Sequence, residues 1–321
     1  MWSSSPQHLS SVFLTAPHYV LGEIEEDHTA IANLRERIAE FGMLPKADLW
    51  GWGTVRRTER SVEELAIESG SATLAAAGLD PASIGAVVLC STGFPVGPTM
   101  HGSFVAAILS GLGVDDADFM GLGLNRCTNM LAGLQVADAL VRSGRHRRVL
   151  VVTADRVDDE ATRMEKFALF SDGAASCLIM DEPAVGFELM SCAAANRTRE
   201  LDWSNEINSD LSRQVNEQLL KPFGMTLDRV SGLMHANIFM PIVMLKEIQA
   251  GFRPAQLYTG NIRRLGHCFA ADPIINLVDR AAAGQVVDGG YYILASSVPG
   301  SRIGVLLRRL PDGVPDLTHC R

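Results

Sequence analysis

Three side chains in the sequence could together act as a nucleophile and its bases: Cys127, His235 and His267. Cys127 lies where a predicted strand gives way to an amphipathic helix, and a helix N-terminus favours the thiolate, which is the nucleophilic form. His235 ends a predicted strand just before a helix, at the end of an α/β sheet where ligand sites form. His267 comes shortly before another predicted helix. One thiol and two imidazoles at such junctions suit nucleophilic catalysis.

Each of these residues also has an ordinary structural interpretation. A free cysteine is most often buried and unreactive, and a single histidine is most often a core or loop residue with satisfied hydrogen bonds. Asp272 could orient a histidine, but it precedes Pro273 and is also a good helix N-cap. Position alone leaves both interpretations open. None of the spacings is typical of a metal site, and we expect no metal or other cofactor.

Alternating strands and helices must position these residues. Ser61 and Glu64 form a capping box, which predicts a helix that runs to Gly78. Buried apolar runs predict strands and a 3.6-residue period predicts helices. The predicted strands are 84–90, 118–124, 147–155, 170–183, 185–195, 230–237, 256–261, 289–297 and 301–310. The predicted helices include 34–42, about 128–143, 241–251 and 273–284, whereas 50–60 and 93–104 are predicted loops and 196–228 an insertion or surface helix.

The order of these elements repeats, with a seam near residue 183. The order is strand–helix alternation, a pair of adjoining strands, more alternation and a second pair of strands. Two similar α/β halves packed as one unit explain this order better than separate domains on a linker. We therefore predict an N-terminal half over 1–183 that carries Cys127 and a C-terminal half over 184–321 that carries the histidines.

Composition excludes several other classes of protein. The 321 residues are 47% hydrophobic, which is enough for a large core, and the net charge of −9 argues against nucleic-acid binding. The six cysteines are scattered without CxxC pairs, which is typical of reduced intracellular thiols. The sequence shows neither a signal peptide nor an apolar run long enough to span a membrane. We expect a cytoplasmic protein that binds neither nucleic acid nor membrane.

Several blocks of the sequence, in this order, resemble the thiolase-fold condensing enzymes, in particular ketoacyl-acyl-carrier-protein synthase III and its acyltransferase relatives. The blocks are IGAVVLCSTG, NRCTNMLAGLQVADALVRSG with RRVLVVTAD, FSDGAASCLIM, MHANI and GHCFAADPIINL. In the third block, Ser171 stands in the place of a family glycine. The likeness covers roughly residues 50–310, and the order of the blocks is more specific than any one motif.

The resemblance implies a five-layered α-β-α-β-α fold of two pseudo-equivalent halves, and a homodimer. Cys127 would accept an acyl group from a CoA or acyl-carrier-protein thioester, with its own backbone N–H in an oxyanion hole, and His235 would be the catalytic histidine. Arg56 and Arg57 resemble the stretch that holds the CoA nucleotide, and 93–104 resembles the loop that reaches the neighbouring subunit's pocket.

The departures from the family pattern lie at the C-terminal blocks. Where the synthases carry an asparagine that helps decarboxylation, alignment places His267, and a rival alignment uses Asn261. Asp272 lies close enough in sequence to orient a histidine. The HAN segment is one residue shorter than the family motif, which leaves open whether Asn237 keeps the role of the family's second asparagine in binding substrate.

The retained cysteine and histidine with an altered third position predict an acyltransferase that passes its acyl group to a small-molecule acceptor in fatty-acid, polyketide or other secondary metabolism. A Cys-His-His set also occurs in elongating condensing enzymes, so a decarboxylative 3-oxoacyl synthase that uses malonyl carrier protein is the alternative. A third possibility is a non-catalytic partner subunit of a heterodimeric condensing enzyme.

Overall fold

The computed structural model describes residues 11–95, 97–183, 185–201 and 207–311, without the side chain of Pro98. The strands are β1 Phe13–Leu21, β2 Ile24–Asp27, β3 Thr54–Arg57, β4 Ala86–Cys90, β5 Asp118–Leu122, β6 Arg148–Asp155, β7 Met164–Glu165, β8 Ala168–Leu169, β9 Gly173–Met180, β10 Gly186–Asn196, β11 Val230–Met234, β12 Tyr291–Val298 and β13 Ser301–Arg309. The α-helices are α1 Leu34–Glu40, α2 Ala47–Trp50, α3 Val62–Ala77, α4 Pro98–Leu112, α5 Asn129–Arg142, α6 Ser209–Leu220, α7 Met240–Gln249, α8 Gly260–Leu265 and α9 Asp272–Ala282.

Nine strands form one hydrogen-bonded sheet in the order β11-β12-β13-β10-β1-β9-β6-β4-β5. In β4-β6-β9-β1 the first pair is parallel and the next two are antiparallel, and β11-β12-β13-β10 repeats that pattern. The two halves meet where β1 pairs with β10. This repetition confirms the predicted pseudo-equivalent halves, while the boundary at residue 183 stays a prediction.

Helices lie on both sides of each half and between the halves. Helix α3 packs on β1, β6 and β9, and α6 packs on β10 and β13. Helix α5 contacts strands of both halves, and α9 contacts β1, β11 and β12. Three large hydrophobic clusters fill the spaces between these layers. The arrangement is the five-layered α/β fold expected of a thiolase-like chain.

Local sequence signals explain several of the elements. The Ser61 side chain accepts from the Glu64 N–H and the Glu64 carboxylate accepts from the Ser61 N–H, so the capping box that begins α3 is confirmed. Gly78 ends that helix in the left-handed region. Among the described residues, no helix is both long and apolar enough to cross a membrane.

Three predicted segments differ from the structure. The 256–261 segment forms one parallel bridge, Leu257 to Leu233, and then enters α8 instead of continuing as a strand. The predicted loop 93–104 enters α4 at residue 98, with Val96 outside the described residues. The predicted loop 50–60 contains β3, and β1, which has a bulge at Ala16, was not predicted.

Gly133 on α5 and Gly102 on α4 test how closely α5 must approach the sheet. A Cβ on Gly133 would lie 2.6 Å from Cys90 Sγ and 3.0 Å from Val151 Cγ1, whereas one on Gly102 meets nothing within 4 Å. We expect crowding to lower the free energy of unfolding of Gly133→Ala by about 1–3 kcal/mol. The higher helix propensity of alanine, about 1 kcal/mol, offsets only part of this loss. Gly102→Ala, its matched control, should gain about 0.5–1 kcal/mol. Urea unfolding measures both, and equal shifts in the midpoint would contradict this account.

Candidate active site

Cys127 lies in a single 3-10 turn, Arg126–Thr128, between β5 and the start of α5. Arg126 has a φ of 53°, an uncommon value for a residue with a side chain, and its guanidinium donates to Pro299 O at 2.9 Å. The Asn129 side chain accepts from the Asn125 N–H at 3.0 Å. These contacts hold the turn so that the half-buried Cys127 precedes α5, as the sequence predicts.

His267 is the histidine that contacts the thiol. Its Nε2 lies 3.2 Å from Cys127 Sγ. The His267 N–H donates to Leu169 O at 2.8 Å and its carbonyl accepts from the Ser171 N–H at 2.9 Å, so both backbone groups of His267 bond the segment 169–171. The ring is 1% exposed and faces Phe170, with 5.0 Å between ring centroids.

Asp272 is the third group of a hydrogen-bonded triad with Cys127 and His267. Its Oδ2 lies 2.5 Å from His267 Nδ1, and the carboxylate is fully buried. The same carboxylate accepts from the backbone N–H of Asn237 at 2.6 Å and from that of Cys268 at 2.8 Å. Asp272 is the first residue of α9 and makes no N-cap bond to that helix, so the N-cap interpretation is wrong and the orienting one fits.

The charges around His267 favour its protonated form. Burial alone would lower the pKa of the imidazole, but the charge of Asp272, and then that of Cys127, raise it to about 10. An imidazolium at 3.2 Å from the sulfur stabilises a thiolate. The arrangement therefore places an imidazole proton donor beside the Cys127 sulfur and a carboxylate that fixes the ring.

A histidine titration followed by NMR is expected to find one imidazole with a pKa near 10. Because Cys127 contributes to this shift, Cys127→Ala should lower that pKa. The folded-state pKa lies above the ordinary value of 6.5, so the group stabilises the fold fully below pH 6.5 and loses this contribution as the pH rises to about 10. A His267 pKa at or below 6.5 would contradict the ion pair.

His235 lies at the end of β11, where the sequence places it, and is 3% exposed. Its Nδ1 is 2.7 Å from Ala236 O, so Nδ1 donates, while Nε2 has no partner among the described residues. Burial lowers the pKa of this ring. In the described structure it is His267, and not His235, that contacts the Cys127 sulfur, and a catalytic role for His235 stays a prediction.

The two candidate asparagines face the interior. Asn237 Nδ2 donates to Asp272 at 3.2 Å and its Oδ1 accepts from Asn276 at 2.9 Å, so its amide is engaged within the protein rather than free for substrate. Asn261 lies in α8 and donates to Asn276 and Asp279. It makes no hydrogen bond to Cys127 in the described structure, so of the two aligned candidates it is His267 that contacts the sulfur.

Arg56 and Arg57 lie on β3 rather than in a loop. The Arg56 guanidinium pairs with Glu25, and that of Arg57 pairs with Glu26 at 2.9 Å and Glu160 at 3.3 Å. Their positive charge is already compensated by neighbouring carboxylates. Binding of a CoA phosphate by this pair stays a prediction.

Two buried polar residues near the site were missed from the sequence. Asp155 ends β6 and accepts from the Thr92 N–H at 2.6 Å, and burial raises the pKa of its carboxyl to about 6. Asn276 is a polar residue on the buried face of α9. A polar side chain at the end of a buried strand or on the apolar face of a helix was the available signal.

Across the described residues, no group of three or more His, Cys, Asp or Glu could hold a metal.

Comparison with known proteins finds sequence similarity to one family. Residues 124–197 match the family model of 3-oxoacyl-[acyl-carrier-protein] synthase III. The mycobacterial beta-ketoacyl-[acyl-carrier-protein] synthase III of Mycobacterium avium (strain 104) is 23% identical over 284 residues, which covers 79% of this chain and 83% of that protein. The beta-ketoacyl-[acyl-carrier-protein] synthase III of Roseiflexus castenholzii is 35% identical over 134 residues, 40% of this chain and 38% of the relative.

Solved structures share the fold over nearly the whole chain. The acyltransferase ChlB3 superposes with a TM-score of 0.81 at 17% identity and covers 94% of this chain and 98% of its own. The 3-oxoacyl-[acyl-carrier-protein] synthase III of Aquifex aeolicus superposes with a TM-score of 0.76 at 16% identity, over 92% of this chain and 99% of its own. The chain is thus similar in sequence to 3-oxoacyl-[acyl-carrier-protein] synthase III over residues 124–197, and it shares the thiolase fold of the solved synthase III and acyltransferase structures.

Proposed function

We propose that this protein is an acyltransferase that loads an acyl group from a CoA or acyl-carrier-protein thioester onto Cys127 and passes it to the hydroxyl or amine of a small molecule. The observation that carries the proposal is the triad of Cys127, His267 and Asp272. His267 Nε2 lies 3.2 Å from Cys127 Sγ, and His267 Nδ1 lies 2.5 Å from Asp272 Oδ2. A thiolate beside an oriented imidazole is the arrangement required for covalent acyl transfer.

In the first half-reaction, the Cys127 thiolate attacks the carbonyl carbon of the thioester. The bond between Sγ and the acyl carbon forms, and the bond between that carbon and the donor's sulfur breaks. The departing thiolate takes the proton from Nε2 of the His267 imidazolium. Positioned proton transfer of this kind accelerates a reaction by about 10²–10⁴-fold.

Acylation leaves His267 neutral and ready to act as a base. The thiolate charge that helped to raise its pKa is gone once the sulfur is acylated. Nε2 then takes the proton of the acceptor's O–H or N–H as the oxygen or nitrogen attacks the acyl carbon. The carbon–sulfur bond breaks, and the thiolate and imidazolium are restored.

The His267–Asp272 pair favours this function over decarboxylative condensation. A malonyl donor becomes a nucleophile by losing carbon dioxide, so no base is needed to deprotonate it. An amide such as the family's asparagine can only donate or accept a hydrogen bond, whereas an imidazole oriented by a carboxylate can also remove a proton. An acceptor that must lose a proton makes use of this difference.

The decisive experiment follows the two half-reactions separately. The purified protein is incubated with acetyl-, malonyl- and longer acyl-CoA thioesters and with their acyl-carrier-protein counterparts, and intact mass spectrometry follows the adduct. We expect a mass increase equal to the acyl group, followed by its loss when hydroxyl or amine acceptors are added. Release of carbon dioxide from malonyl carrier protein, with a carbon–carbon product, would instead establish the condensing alternative. No adduct from any donor would favour the non-catalytic partner subunit.

A homodimer is part of this proposal. Strand β5 is at the edge of the sheet, and beyond it Leu124 is 98% exposed. Met100 on α4 is 54% exposed. An unpaired strand edge beside apolar side chains suits association with a second copy. Light scattering coupled to size-exclusion chromatography should give twice the mass of the chain, and a monomer at micromolar concentration would contradict it.

A further inference from the structure

A row of three asparagine side chains runs from α8 across the buried face of α9 to Asp272. Asn261, Asn276 and Asn237 are 1%, 0% and 1% exposed, respectively. Asn261 Nδ2 donates to Asn276 Oδ1 at 2.9 Å, Asn276 Nδ2 donates to Asn237 Oδ1 at 2.9 Å, and Asn237 Nδ2 donates to Asp272 Oδ1 at 3.2 Å. Each amide donates toward the carboxylate that orients His267.

The orientation of all three amides is fixed by groups that can only accept. Asn276 Nδ2 also lies 2.8 Å from the backbone carbonyl of His235, which has no proton to give. The nitrogen of Asn276 must therefore face that carbonyl and Asn237 Oδ1, and its oxygen must face Asn261. With its oxygen turned to Asn276, Asn237 presents its NH₂ group to Asp272. A row in which every bond has the same sense is strengthened by mutual polarisation.

Asn276 is the member of this row that joins the two histidine segments. One NH₂ group bonds the His235 carbonyl at the end of β11 and the Asn237 amide that faces Asp272. We infer that Asn276 is a positioning residue, which holds the Asp272 carboxylate against His267 and fixes the backbone that carries His235. This inference rests on the proposed function, because it assigns Asn276 a part in the acyl transfer of that site.

The surroundings determine how a carboxyl placed at position 276 would titrate. The charged and titratable groups joined to Asn276 directly or through this hydrogen-bonded row are Asp272 and Asp279 on α9, Tyr19 on β1, Arg264 on α8, and His235 and His267. Asp272 is two hydrogen bonds from position 276, through Asn237, and the site is fully buried. Burial and this anion both raise the pKa of a new carboxyl.

Asn276→Asp and Asn276→Leu give different expectations. In Asn276→Asp, a protonated carboxyl can donate to Asn237 Oδ1, whereas an ionised one repels it. We expect its acylation rate, relative to wild type, to recover as the pH falls from 9 to 6. Asn276→Leu cannot donate at any pH, and we expect acylation to be slower by about 10²-fold throughout, with the donor's KM within about threefold of wild type.

The matched control is Asn216→Leu on α6, which removes another buried asparagine, one whose amide has no partner among the described residues. It should leave the acylation rate and its pH profile unchanged. A role of Asn276 in stability alone predicts parallel pH profiles for Asn276→Asp and wild type, and that result would overturn the inference. Acylation by Asn276→Leu within threefold of wild type would overturn it too.

A second readout does not depend on acyl transfer. NMR titration of His267 in Asn276→Leu should give a pKa at least half a unit below that of wild type, because Asp272 is no longer held against the ring. An unchanged value would overturn the inference. If Asn276→Leu does not fold, the pH profile of Asn276→Asp decides. If wild type forms no acyl-enzyme, the proposed function fails. The positioning role is then decided by the NMR titration of His267 in Asn276→Asp. We expect that titration to differ from wild type only above the pKa of the new carboxyl.

Discussion

Cys127→Ala is expected to form no covalent acyl adduct with any thioester donor and to lose transfer activity by on the order of 10⁴–10⁶-fold. The reason is chemical, because alanine offers no atom that can bond the acyl carbon. His267 and Asp272 would remain in place but would have no nucleophile to serve. Intact mass after incubation with a saturating acyl-CoA measures the adduct, and product formation measures the remaining transfer.

The control for this prediction is another free cysteine of the chain. Cys192 is half-buried on β10, and burial raises the pKa of its thiol well above the usual range, so it stays protonated and unreactive. Cys192→Ala should keep both the adduct and the activity. An adduct that survives in Cys127→Ala and disappears in Cys192→Ala would place the nucleophile elsewhere.

Asp272→Asn is expected to slow acylation by about 10²–10⁴-fold and to lower the pKa of His267. The charge of Asp272 is the first influence that raises this pKa against the effect of burial. An amide removes that charge and no longer fixes which ring nitrogen carries the proton, a loss that is severe in other nucleophile–histidine–acid sites. Single-turnover acylation gives the rate, and NMR gives the pKa.

Stability must be separated from catalysis in this variant. The Asp272 carboxylate accepts from two backbone N–H groups. In Asp272→Asn, the side-chain NH₂ group faces one of these N–H groups and leaves that N–H without an acceptor. We therefore expect the free energy of unfolding to fall by about 1–3 kcal/mol. Asp138→Asn is the control, because Asp138 is a half-buried carboxyl that pairs with Arg142 on α5. It should leave acylation unchanged. A wild-type rate in Asp272→Asn would exclude the orienting role.

The sequence predicted elements that carry strong local signals. The capping box of α3, the apolar stripe of α5 and the unbroken apolar runs of β4 and β6 all became the expected elements. β1 was missed because the bulge at Ala16, followed by Pro17, interrupts its alternation. The register shift between Thr15 and His18 is stabilised by pairing with both β9 and β10, which are distant in sequence. No local pattern contains that information.

The candidate site divides in the same way. The sequence identified Cys127, His267 and Asp272 as candidates, because each stands at a junction of elements and the block order resembles one family. It also offered Asp272 as an N-cap and His235 as the catalytic histidine. The two interpretations of Asp272 differ only in the direction of one side chain. His235 and His267 both precede a helix, so the local pattern does not show which of them contacts the sulfur.

By itself, the sequence determined the elements with strong local signals, the repeated order of strands and helices, and which nucleophile and bases stand at their junctions. Helix and strand periodicity, capping and chemical type act over a few residues, which is why they can be read locally. Tertiary structure alone decided that His267 contacts Cys127 and that Asp272 turns to His267. It also decided that three asparagines form a hydrogen-bonded row that leads to Asp272. Cys127 precedes α5 and His267 precedes α9, and the turns Arg126–Thr128 and Phe269–Ala271 before these helices contact each other only when the layers pack. Hydrogen bonds between residues about 140 positions apart depend on that packing and on nothing local.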